Sequence, residues 1–268
     1  MQYDPIKRSL GKVFNKKPFL RKLFYHLLDL LLLRTWHIKK EIRIWAKSRS
    51  INVNILDAGS GFGQYSYFLT RFNSKYNITG TDIKEEQIED CTNFFKKIGK
   101  QQVSFKVADL TTYVETEYYD MILSVDVMEH ILEDVLVFKN FHASLKTGGM
   151  VLISTPSDQG GSDAHDEEDE SFIEEHVRNG YNISEIQDKL KSAGFSKTEA
   201  YYAYGKPGSL SWRLSMKYPI QLLGISKLFF IIIPFYYLIT FPFCLILNYL
   251  DVNNKQNSGT GLIVKAWK

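Results

Sequence analysis

Ile55-Leu56-Asp57-Ala58-Gly59-Ser60-Gly61-Phe62-Gly63 is the stretch that decides how the remaining sequence is read. An apolar run ends at Asp57, three glycines follow at alternate positions, and helical spacing begins at Gln64. This is the pattern of a strand that turns sharply into a helix. Glycines permit that turn and let a ligand approach the backbone closely. The helix N-terminus beyond them offers amide groups to an anionic or polar partner. By itself such a loop also fits a plain structural turn.

Outward from the loop, short apolar runs alternate with helical stretches, as in a parallel α/β sheet. Strands are predicted at 53–57, 78–81, 104–107, 120–125 and 150–154, with helices at 64–72, 84–98 and 133–145. A sixth strand is expected at 198–204 and a seventh at 261–267. Between strand five and strand six, Asn182 opens a helix with Glu185 three residues on, a capping-box arrangement. Residues 18–47 read as one amphipathic helix, with Leu20, Phe24, Leu27, Leu31, Ile38, Ile42 and Trp45 at helical spacing.

Carboxylates recur where strands end. Asp82 follows the second strand, about 20 residues past the loop, where an acid can accept hydrogen bonds from ribose hydroxyls. Asp109 follows the third strand, and Asp126 the fourth, in Asp126-Val127-Met128-Glu129-His130. Each Asp alone would pass for a helix cap. All of these positions together fall on the edge where open α/β sheets bind ligands.

On these residues the chain resembles the class I S-adenosylmethionine-dependent methyltransferases, over roughly 51–204 and 260–268. Its glycines follow G-x-G-x-G, with Gln64 where the dinucleotide dehydrogenases carry their third glycine. Within that family it looks most like the branch that holds the ubiquinone-pathway O-methyltransferases. The resemblance implies a Rossmann-like seven-stranded sheet with helices on both faces. It implies S-adenosylmethionine as cofactor, held by Asp57, Gly59, Ser60, Gly61, Gly63, Asp82, Ile83, Asp109, Leu110 and Asp126. Asp82 would take the ribose, Asp109 with Leu110 the adenine, and Asp126–His130 would line the transfer cleft.

A hydroxyl acceptor needs a base, and His130 and His165 are the catalytic candidates. His165 lies in the acidic run Asp163-Ala164-His165-Asp166-Glu167-Glu168-Asp169-Glu170, read as a lid over the acceptor, with His176, Arg178 and Tyr181 as substrate contacts. The run reads equally as a solvated loop. A metal site from Asp163, His165, Asp166 and His176 matches no strong ligand template, and none is expected.

The 268 residues allow one large domain or a domain with an insertion. Two cysteines are too few for a disulfide framework or a cysteine zinc site. Residues 1–50 hold 13 Lys/Arg against Asp4, Asp29 and Glu41, so the overall charge of +3 hides a basic arm on a mildly acidic body. That arm suits an anionic surface, and no basic stripe in the body argues for nucleic acid. Residues 205–258 form an insertion between the last two strands, and within it 228–250 carries no charge. A single membrane crossing would strand the last strand on the far side. A helical hairpin lying in the bilayer interface is therefore expected, with a homodimer contact or a lid packed over an apolar acceptor as the competing readings. The resulting expectation is a cytoplasmic enzyme at the inner face of the membrane that methylates a hydrophobic or lipid-like acceptor, on oxygen. A protein methyltransferase and a non-catalytic membrane scaffold are the alternatives.

Overall fold

The computed structural model describes residues 17–47, 52–160, 177–226 and 228–268. Seven strands form one sheet: β1 (Asn54–Ala58), β2 (Asn77–Asp82), β3 (Val103–Val107), β4 (Tyr119–Val125), β5 (Leu145–Pro156), β6 (Lys197–Ala203) and β7 (Gly261–Trp267). Their order is β3-β2-β1-β4-β5-β7-β6. The first five run parallel, while β7 runs antiparallel to both β5 and β6. The predicted strands all exist, with bounds shifted by a few residues, most at the long β5.

Both faces of the sheet are buried, which is why the central strands read as continuous apolar runs. On one face α2 (Leu33–Ala46) and α3 (Gln64–Phe72) pack Ile38, Ile42 and Leu69 against Ile55, Leu123 and Leu152. On the other, α5 (Asp134–Ser144) and α6 (Ile183–Ser192) pack Val137, Phe141, Ile186 and Leu190 against Leu56, Ile122 and Val151. Helix α4 (Glu85–Lys97) flanks β2 and β3 with Phe94 and Phe95. Asn182 caps α6 by accepting from the Ser184 amide. Glu185 turns instead to Lys189, one turn on, so the capping box is only half made.

The single helix expected over 18–47 is two. Helix α1 (Pro18–Leu31) stops at Leu32, whose backbone is extended, and α2 restarts at Leu33. Tertiary contacts impose the break. From α1 the buried Arg21 guanidinium donates to the carbonyls of Phe62 (2.9 Å) and Asp90 (3.2 Å) and lies 4.6 Å over the Phe94 ring. Helix α2 meanwhile enters the core. The N-terminal arm is thus partly a structural layer whose first helix grips the glycine loop.

The excursion between β6 and β7 leaves and returns at one place, since Ala203 pairs with Gly261. Being parallel to β5, β6 ends on the same sheet edge as β1. The excursion is a helical hairpin. One arm is α7 (Lys206–Trp212), a widened turn at Arg213–Lys217, and α8 (Tyr218–Ile225). The other is α9 (Phe229–Asn253). Pro219 has no N–H to give back to the turn before it. Hydroxyls from α9 serve two carbonyls there: Tyr236 donates to Leu214 (2.7 Å) and Tyr237 to Ser215 (2.6 Å).

Pro234 and Pro242, residues that usually kink or break a helix from within, lie inside one 25-residue helix. Each removes a single amide bond while the remaining ladder continues. Contacts to α7, among them Ser211 Oγ to the Cys244 carbonyl at 3.3 Å, hold the segment together.

The hairpin is rooted by Asp251, which is fully buried. Its carboxylate accepts from the amides of Tyr204 (3.1 Å), Gly205 (2.8 Å) and Gly208 (3.1 Å) and from His37 Nε2 (2.9 Å). A Cβ at position 208 would lie 2.5 Å from Leu33 and 2.7 Å from this carboxylate, so only glycine fits. Asp251→Ala leaves four buried donors without an acceptor and is expected to lower stability by about 3–5 kcal/mol in urea denaturation. A loss below about 1 kcal/mol would mean that water replaces the carboxylate and that the hairpin is rooted elsewhere.

Candidate functional site

The glycine loop sits at the carboxyl edge of β1, where strand order reverses between β2 and β4. Gly59, Gly61 and Gly63 all have positive φ. At Gly59 a Cβ would fall 2.3 Å from Val127, so the loop lies tight against the turn after β4. At Gly61 a Cβ would meet only Gln87 Oε1, at 3.9 Å, an ordinary van der Waals contact, so this part of the loop is less crowded.

The loop amides are used differently from the expected cradle. Gly59 and Ser60 donate to the Thr81 carbonyl (2.9 and 2.8 Å), Gly63 to that of Ser60 (2.8 Å), and Gly61 to Asp82 (3.0 Å). These amides stitch the loop to β2. The loop therefore contributes close approach more than donors.

Hydroxyls show a different picture. Thr81, Ala58 and Ser124 stand abreast on β2, β1 and β4. The hydroxyls of Thr81, Ser124 and Ser60 are buried with no partner among the described residues. Buried polar groups are rarely left so. Three of them at the ends of the central strands, beside the less crowded backbone of Gly61, fit a polar cofactor.

Asp82 accepts from Gly61 on one oxygen and from the Lys84 amide (3.0 Å) on the other. Each carboxylate oxygen has a further lone pair, enough for two ribose hydroxyls. Asp109 binds the Thr111 amide (2.8 Å) and hydroxyl (2.7 Å) through Oδ1 alone. Those bonds hold its carboxyl below the ordinary range, so it stays ionised at the exposed surface. Ile83 is 68% exposed beside Asp82, whereas Leu110 is buried under Asp109. Asp57 is buried and accepts from the Ser66 amide and hydroxyl at 3.0 and 2.6 Å. Burial pushes its carboxyl up to about 6. It fastens α3 to the loop from below.

On the acceptor side, Asp126 has positive φ and pairs with Arg34 of α2 at 2.6 Å. A non-glycine residue in that conformation is strained, and such strain gathers at functional sites. The Arg34 amide in turn donates to the Tyr204 hydroxyl at 3.1 Å. Glu129 is buried and accepts from Thr155 Oγ at 3.1 Å. Burial, helped by the negative charge of Asp126, raises its carboxyl to about 8. His130, next in the chain, is exposed at the end of the short helix Met128–His130.

The structure places Arg178 and Tyr181 elsewhere than expected. Arg178 donates to Asp134 (2.5 Å) and to the Ile131 carbonyl (2.7 Å), and its guanidinium lies 4.7 Å over the Tyr181 ring. The Tyr181 hydroxyl donates to Asp134 at 2.8 Å. Both side chains brace the start of α5; of their polar atoms only Arg178 Nε has no partner among the described residues. His165 and His176, with the acidic run and its Asp163 and Asp166, lie outside the described residues. Among the described residues no group of three or more His, Cys, Asp or Glu could hold a metal. Ser60 and Glu129 fall within stretches the sequence marked, whereas Arg34, Thr81 and Ser124 were not legible as site residues, since no motif or spacing marks them.

A family model described as a methyltransferase domain matches residues 50–203, more than half of the chain. Phosphoethanolamine N-methyltransferase 1 of Zea mays is 33% identical over 149 residues, 53% of this chain and 28% of that enzyme. The ubiquinone biosynthesis O-methyltransferase of Pelagibacter ubique is 27% identical over 120 residues, 44% of this chain and 49% of that one. The chain thus spans between about a quarter and a half of these curated relatives. Among solved structures, Haemonchus contortus phosphoethanolamine N-methyltransferase 2, in complex with phosphomonomethylethanolamine and S-adenosylhomocysteine, aligns with a TM-score of 0.61 at 19% identity. That alignment covers 86% of this chain and 52% of the other. By the family match, and by a sheet whose glycine loop and strand-end carboxylates fit the cofactor, the chain belongs to the S-adenosylmethionine-dependent methyltransferase domain family.

Proposed function

We propose that the protein transfers a methyl group from S-adenosylmethionine to a hydrophobic or lipid-like acceptor presented at a membrane surface, on oxygen. The observation that carries this reading is the position of the hairpin. It leaves the sheet on the cofactor edge, and Tyr204 at its root accepts from Arg34, whose guanidinium holds Asp126. Helix α9 is long and apolar enough to cross a membrane, yet only 6% of its most apolar stretch is buried. Phe230, Ile231, Phe235, Leu238, Ile239 and Phe243 are exposed along it. An apolar surface of that extent marks an interaction site. Because both ends of the hairpin return to one sheet, a single crossing would strand β7 on the far side, and a hairpin seated in the interface is the reading adopted.

When bound, S-adenosylmethionine supplies a sulfonium methyl that passes in line to the acceptor as the carbon–sulfur bond breaks, leaving S-adenosylhomocysteine. The chain's own residues bind and align. Asp82 takes the ribose hydroxyls, Asp109 the adenine amine, and the hydroxyls of Ser60, Thr81 and Ser124 supply further polar contacts. Asp126, held by Arg34, borders the acceptor side. His130 stands beyond it as the proton acceptor for a hydroxyl substrate, with His165 the other candidate for that role. In this reading the protein acts at the cytoplasmic face of a membrane.

A nitrogen acceptor is the second reading, favoured by the match to the Zea mays phosphoethanolamine N-methyltransferase. An amine deprotonated in solution needs no strong base.

Asp82→Ala is expected to weaken cofactor binding by about 1–3 kcal/mol in calorimetry through lost charged hydrogen bonds. Unchanged affinity would remove Asp82 from the ribose site. Methyl-labelled S-adenosylmethionine incubated with the protein and a lysate of the source cells is expected to put label in the organic phase, on an O-methyl product. His130→Ala should then lower kcat by about 10²–10⁴-fold, the usual worth of a general base. Label in the aqueous phase or on protein would reject the lipophilic acceptor, and an N-methyl product with kcat unmoved in the variant would establish the second reading.

A further inference from the structure

Away from the glycine loop, a cavity of about 610 Å³ opens where α2 meets the C-terminal end of α9. Asp29, Trp36, Lys39, Lys40, Arg43 and Lys47 line it, with Val252 and Asn253 from α9 closing one side. An adjoining cavity shares Asp29, Lys39 and Arg43 and adds Arg71 from α3. Among the described residues that line the two, five cations face one carboxylate.

The concentration of charge works against the fold. Lys39, Arg43 and Lys47 lie at successive four-residue steps, so like charges sit one above another along α2, an arrangement that destabilises a helix. Asp29 pairs with Lys39 and is already engaged. Burial lowers the proton affinity of Lys39, Asp29 opposes that shift, and Arg43 and Arg71 add to it. The Trp36 indole N–H, on the same wall, is buried with no acceptor among the described residues. Lys40 donates to the Val252 carbonyl at 2.5 Å, fixing the end of α9 at the cavity rim. An anion with several acceptor oxygens would relieve the repulsion.

The location selects the anion's source. Ile246, Tyr249 and Leu250 are exposed on the last turns of α9, immediately before the cavity-lining Val252. The uncharged surface of the hairpin therefore runs directly into a ring of cations. With the hairpin in a bilayer interface, that ring lies at the depth of the lipid phosphates, where basic residues near anionic lipid gain affinity.

We propose that this cavity binds the phosphate of a net-negative phospholipid and so seats the hairpin in the membrane. The inference rests on the membrane reading above and adds a defined headgroup site, separate from the acceptor cleft.

The test is flotation of the full chain with vesicles of phosphatidylcholine alone or mixed with phosphatidic acid. Native protein should bind the acidic vesicles more tightly. Arg43→Gln with Lys47→Gln should weaken that binding about 25-fold, roughly five-fold per cation removed. Lys40 is spared because it also holds the Val252 carbonyl. A matched control, Lys96→Gln with Lys97→Gln on α4, removes the same charge from an exposed face and should have a much smaller effect. Equal losses in the two variants would reduce the effect to general attraction and overturn the site. Equal binding of native protein to neutral and acidic vesicles would overturn the site while leaving the membrane reading intact. Absence from all vesicles would overturn both. If inorganic phosphate binds native protein in calorimetry, the cavity variant weakens it, and acidic vesicles are not preferred, the ligand is soluble phosphate and the lipid source is wrong.

Discussion

A single buried carboxylate fixes the relation between the two chemically unlike parts of this molecule. Asp251 gathers three amides at the exit from β6 and the imidazole of His37 on α2. A charge taken wholly out of water is tolerated only when its lone pairs are used, and here four donors use them. The consequence is geometric. Helix α9 cannot drift away from α2, and α2 carries the Arg34 that holds Asp126. An apolar hairpin that could have been a loose appendage is thereby tied to the mouth of a ligand-binding edge.

That edge depends on a second set of constraints. The loop after β1 spends its amides on Thr81, Ser60 and Asp82, and Asp57 anchors α3 beneath it. Arg21 and Tyr25 of α1 reach the Phe62 carbonyl from outside. The loop is thus held from the strand, from the helix and from the N-terminal layer before any ligand arrives. Such preorganisation lowers the ordering cost of binding. The hydroxyls of Ser60, Thr81 and Ser124 carry the opposite sign: they are unmet among the described residues, and a polar guest improves them.

Much of this was legible in the sequence because it is local. Strand patterning, the alternate glycines and the acids at strand ends are short-range signals, and the sheet follows from them. The interruption at Leu32 was not legible. Leu30-Leu31-Leu32-Leu33 contains no proline or glycine, and its break comes from Arg21 gripping one partner while Ile38 and Ile42 enter another. Arg34 and Asp251 were equally silent. Each gains its meaning from a partner distant in sequence: Arg34 from Asp126, Asp251 from His37. Arg178 and Tyr181 misled for a related reason, since polar residues near a cleft look like substrate contacts until a buried acid such as Asp134 claims them.

The prolines of the hairpin show how a local rule can fail and still be informative. Pro234 and Pro242 would break an ordinary helix in water, yet α9 runs through both. Pro219, in the other arm, coincides with a widened turn whose carbonyls at Leu214 and Ser215 are taken by Tyr236 and Tyr237. On a surface facing water those carbonyls could be solvated, and dedicated tyrosines would add little. In an apolar medium an unmet carbonyl is expensive, and internal donors become necessary. The pairing of the two carbonyls at this widened turn with hydroxyls from the facing helix is therefore what a segment working in lipid requires, and it agrees with the exposed apolar side chains along the facing helix.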